Sequence, residues 1–138
     1  MVTRREFVTY LVASASIALL AGPTSAAEPT VEIIALPHSP VQTALKPVRD
    51  FLGSLGARVK VVELDAESAA GEKRIAAVGL KGHVPILLLV NGTDQFKRPD
   101  GTAVVFKDFP AGAGNPLGLN GSWAVADFEA AVNAALGK

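Results

Sequence analysis

The residue types able to do chemistry in this chain are few. His38 and His83 are its only two histidines, Ser39 follows the first, and Glu32 stands in an otherwise apolar stretch. Neutral imidazole nitrogens and a carboxylate can ligate a metal, which makes His38, His83 and Glu32 a candidate metal set. A serine hydroxyl becomes a nucleophile only beside a base, and no Ser-His-Asp arrangement is readable from spacing alone. His38-Ser39-Pro40-Val41 also reads as a helix start, where free N–H groups and the macrodipole attract a carboxylate or another anion. Helix capping accounts for the same residues, with Ser39 as the cap, Pro40 at the first helical position and Gln42 completing a capping box. There is no cysteine, so thiol redox chemistry is excluded.

The elements that must position these residues follow from periodicity. Val31 to Leu36 is a strand ended by Pro37. The helix after Ser39 sets Val41, Ala44, Leu45, Val48, Leu52 and Leu55 on one apolar stripe, with Gly53 and Gly56 closing it and Pro47 inside it. Arg58 to Leu64 reads as a second strand. Asp65 is the expected cap of a short helix through Val78, with Gly79 past its last turn. Pro85 then opens the unbroken apolar run Ile86-Leu87-Leu88-Leu89-Val90, a strand buried on both faces, with proline tolerated at its first residue. Asn91-Gly92 is a strong hairpin signal, so an antiparallel neighbour is expected. Thr93 to Lys97 and Thr102 to Lys107 follow, separated by the turn Arg98-Pro99-Asp100-Gly101. Ser122 is the expected cap of a last helix with Ala124, Val125, Phe128, Ala131, Val132, Ala135 and Leu136 on one face.

Two segments stand apart. Thr3-Arg4-Arg5-Glu6-Phe7-Val8, a short apolar run to Gly22 and small residues at Ala26-Ala27 make an expected signal peptide over 1–27, cleaved near Ala26 or Ala27. The arginine pair is similar to a twin-arginine signal, which a receptor reads. The rest, 28–138, is expected to be a single domain in the periplasm. Arg4, Arg5 and Glu6 aside, it holds 11 basic and 12 acidic residues, so there is no charge surplus to draw in nucleic acid, or a membrane once the signal is removed. The second segment is the loop from Asp108 to Gly121, long for a connection, which suggests a flap carrying Phe109, Leu117, Leu119 and Trp123. Trp123 serves there as part of an exposed apolar patch or else as core for the last helix. Asn91-Gly92-Thr93 and Asn120-Gly121-Ser122 match the glycosylation pattern, an unexpected modification behind a bacterial-type signal.

From Val31 to Leu136 the sequence resembles the thioredoxin-like family. Val31 to Val41 is similar to the family's first core strand running into its Cys-Gly-Pro-Cys helix start, with His38 and Val41 at the cysteine positions and Pro40 matching the proline between them. Glu32 falls where thioredoxins keep a buried acid, Val61 to Asp65 resembles the second strand, and Gly79-Leu80-Lys81-Gly82 leads to Pro85 as the family's approach to its cis-proline does. The sequence departs from the pattern in both missing cysteines, in His83 as an apparent insertion, in Pro47 one position late and in the long 108–121 loop. The resemblance implies an α/β fold, thioredoxin-like, with a central mixed sheet of four to five strands and helices on both faces, and a cis Val84–Pro85 bond. It also implies a groove at His38, Ser39, Pro40, His83, Val84 and Pro85 that takes a protein or peptide partner without catalysis or cofactor, as an accessory subunit of a periplasmic assembly. Alternatives are a glutathione-type enzyme using Ser39 or His38 in place of cysteine, and a metal-handling protein using His38 and His83.

Overall fold

The computed structural model describes residues 27–112 and 120–138. Residues 1–26 of the expected signal peptide, and Leu117 and Leu119 of the expected flap, lie outside them. The elements are β1 (Thr30–Ala35), α1 (Ser39–Leu55), β2 (Lys60–Asp65), α2 (Ala69–Ala77), β3 (Ile86–Val90), β4 (Gln95–Lys97), β5 (Ala103–Val105) and α3 (Val125–Ala135).

β1 is the centre of a three-stranded sheet ordered β2-β1-β3. It pairs parallel with β2, Ile33 opposite Glu63, and antiparallel with β3, Ile33 opposite Leu88. A parallel pair needs a crossover, and α1 supplies it. Side chains alternate across a strand, so the two faces can be assigned. Glu32 reaches Arg74 of α2, whereas Glu63, opposite Ile33, reaches Arg49 of α1. α1 therefore covers the face of Ile33 and Ala35, α2 the face of Glu32 and Ile34, and α3 packs against α1. All five residues of β3 are buried, as an apolar run covered on both faces requires.

The expected sheet of four to five strands is not what forms. β4 and β5 make a separate antiparallel pair, tied to β3 where Leu88 N–H donates to Phe106 C=O and Asp108 N–H to Ile86 C=O, both at 2.9 Å. Asp108, at φ 67°, then turns the backbone away, leaving too short a ladder for a fourth full strand. The expected cis Val84–Pro85 bond is also absent, because every peptide bond among the described residues is trans. Gly82, at φ 82°, makes the reversal instead. Pro85 immediately precedes β3, and its C=O accepts Leu36 N–H at 3.0 Å.

Three cap assignments shift. His38, whose side chain makes no capping hydrogen bond, occupies the position expected for Ser39, and the Gln42 amide donates to Leu36 C=O at 2.8 Å rather than closing a box. Ser68 caps α2 through Gly71 N–H, because Asp65 still belongs to β2. Ser122 accepts Val105 N–H at 3.0 Å, and Asp127 takes the Ala124 N–H at the start of α3. Trp123 and Phe109 are buried in the core, which makes Trp123 core for the last helix and not part of an exposed patch. The reason is tertiary: Trp123 Nε1–H donates to Lys107 and Asp108 C=O, both 3.2 Å, and its ring meets Phe106 edge-on at 5.9 Å.

Candidate functional site

A cleft of about 410 Å³ opens at the C-terminal end of β1, bounded by Leu36, Glu67, Glu72, Ile75, His83 and Val84. Each wall has a local cause. Leu36 follows the last residue of β1 and is held by Pro85 C=O at 3.0 Å. The β2–α2 turn is held by Asp65, whose carboxylate accepts Glu67 N–H at 2.8 Å, so Glu67 projects at the rim. Gly71 lets α2 settle on that turn, since a methyl group there would overlap the Asp65 C=O. The opposite lip is Lys81-Gly82-His83, exposed and leading down to Val84 and Pro85, both buried.

The structure brings His38 to this rim: its Nε2 lies 3.8 Å from Glu67 Oε1, with both side groups more than half exposed. Such an exposed contact is weak. His83 lines the same cleft as Glu67. Ser39 and Pro40 are exposed on the first turn of α1 and do not line it; among the described residues the Ser39 hydroxyl has no hydrogen-bond partner. Glu32 is drawn away, both its oxygens held by Arg74 Nε at 2.8 Å and Nη2 at 2.7 Å. Among the described residues no group of three or more His, Asp or Glu is placed to hold a metal.

The cleft's polar chemistry is acid on one side, Glu67 and Glu72, and basic on the other, Lys81 and His83. Its floor is aliphatic. Among the described residues, Gly82, His83 and Val84 donate and accept no backbone hydrogen bond, an open stretch of backbone at the lip of a half-apolar cavity. Sequence reasoning missed Glu67, Glu72 and Ile75 as lining residues, because the two acids are already explained by the positive end of α2. A second hollow of about 300 Å³ is lined by Gln42, Arg49, Glu63 and Asp65, with the 2.7 Å Arg49–Glu63 pair in its wall.

Comparison with protein-family models finds no match, and no curated protein or solved structure proves similar to this protein.

Proposed function

We propose that this protein is an exported, non-catalytic binding domain on a thioredoxin-like scaffold, an accessory subunit that holds an extended segment of a protein partner in the cleft between Glu67 and His83. The observation that carries this reading is the unpaired backbone of Gly82, His83 and Val84 beside that cleft. An extended peptide laid there gains strand-like hydrogen bonds from the backbone, while the aliphatic floor and the acid and basic lips select its side groups. The strand order β2-β1-β3, with α2 on the face opposite α1 and α3, supports the thioredoxin-like reading. The trans Val84–Pro85 bond departs from it, so pairing rests on the backbone of His83 and Val84 that follows the bend at Gly82. Arg4-Arg5 and the apolar run after them support export to the periplasm.

The test is retention of a periplasmic partner by the full-length protein, with amide hydrogen exchange read at residues 82–84. The expected result is one defined partner whose binding slows exchange at His83 and Val84, weakened at least tenfold by Glu67→Lys, about the cost of one charged contact reversed. A partner bound with unchanged exchange at 82–84, or bound equally by Glu67→Lys, overturns the site.

A further inference from the structure

Two Asn-Gly dipeptides occur in this protein, Asn91-Gly92 and Asn120-Gly121, and the fold treats them differently. Both asparagines are exposed. Gly92 N–H makes no hydrogen bond among the described residues. Gly121 N–H donates to Phe109 C=O at 2.7 Å, and its Cα is pressed against the Lys107 C=O and the Trp123 ring, where even a methyl group would overlap.

We propose that Asn91 is a site of spontaneous self-modification, deamidation through a cyclic imide, and that the fold spares Asn120. In this reaction Gly92 N gives up its proton to water and forms a bond to Asn91 Cγ. The bond between Cγ and the amide Nδ2 of Asn91 breaks, and ammonia leaves with a proton. One water then opens the imide to aspartate or isoaspartate at position 91, with no change of oxidation state. The surroundings bear on the attack. Thr30 N–H donates to Asn91 Oδ1 at 2.9 Å, which polarises the carbonyl under attack and meets the oxygen that gains negative charge. Arg74 Nη2, paired with Glu32 at 2.7 Å, lies 3.7 Å from the point where a Cβ on Gly92 would sit, so a polar N–H group and not an apolar side chain borders the turn. Glycine itself leaves the Gly92 nitrogen unshielded.

The consequence falls on the core strand. Asn91 also donates its N–H to Thr30 C=O at 2.8 Å, so the turn fastens the first residue of β1. Isoaspartate inserts an extra backbone carbon into a tight turn closed by Val90–Thr93 hydrogen bonds of 2.9 and 3.1 Å, and releases that fastening.

The test incubates the full-length native protein at mildly alkaline pH and quantifies aspartate and isoaspartate at both positions by peptide mapping, with a parallel sample in denaturant. Position 91 is expected to exceed position 120 by about tenfold or more in the native protein, the factor one lost hydrogen bond sets. The ratio should fall to near one in denaturant. Asn91→Gln should abolish most of the native mass gain of about 1 Da. Equal native rates, faster change at Asn120, or an unmodified native Asn91 beside a modified unfolded one overturns the proposal.

Discussion

Asp127 accepts from Arg98 Nε at 2.8 Å and Nη2 at 2.7 Å, and from Ala124 N–H at 2.8 Å. The Arg98 hydrogen bonds foremost, with help from Ala124, hold its carboxyl below the usual carboxylate range against the opposing effect of burial. A carboxyl lowered by folding contributes stability above its unfolded pKa of about 4, and that stability is lost as pH falls through the folded value. The thermal stability gap between wild type and Asp127→Ala should therefore be widest at neutral pH and close on acidification below about 4. At neutral pH the loss should be about 1–2 kcal/mol, as for a helix cap removed. A gap independent of pH would show that the ion pair contributes nothing. Gly71 allows a second expectation at this scale: Gly71→Ala should cost about 1–3 kcal/mol by overpacking, measured by denaturant unfolding, because the new methyl group meets the Asp65 carbonyl. The Arg98–Asp127 and Arg74–Glu32 pairs were illegible in the sequence. Their partners lie 29 and 42 residues apart, and no local rule joins them.

α1 runs unbroken from Ser39 to Leu55 with Pro47 inside it, and of its predicted stripe Val41, Leu45, Val48, Leu52 and Leu55 are buried and Ala44 half-buried. Pro47 is exposed, so its ring contributes no core contact while its missing N–H leaves one turn of the ladder open. Pro47→Ala should raise stability by about 1–3 kcal/mol, seen as a higher thermal midpoint; a lower one would mean that the proline holds a bend the packing needs. β3 carries the opposite expectation: Leu88→Ala, at a site with no solvent exposure, should cost about 2–5 kcal/mol. Element existence was legible because period and apolar content are properties of short windows. Boundaries were less so. The starts of α2 and α3 each fell later than expected, since Asp65 was claimed by the β1–β2 pairing and Ser122 by the backbone of Val105.

Across the whole molecule one aromatic cluster joins the hairpin to the last helix: Phe106 meets Trp123 at 5.9 Å and Phe128 at 5.6 Å, both edge-on. Trp123 is the single tryptophan of the protein and is fully buried, so its fluorescence should report the same transition as far-UV circular dichroism. An earlier fluorescence transition would mean that the hairpin and α3 open as a separate unit. The sequence by itself determined the α/β class, the helix stripes, the buried third strand and the absence of thiol chemistry, because each follows from residue type or from spacing along one segment. Only the tertiary structure decided that Trp123 is core, that Glu32 belongs to Arg74, that Pro85 enters its strand through a trans bond, and that two identical Asn-Gly pairs differ. Each of these depends on which distant backbone or charge arrives alongside, and that is a property of the folded molecule.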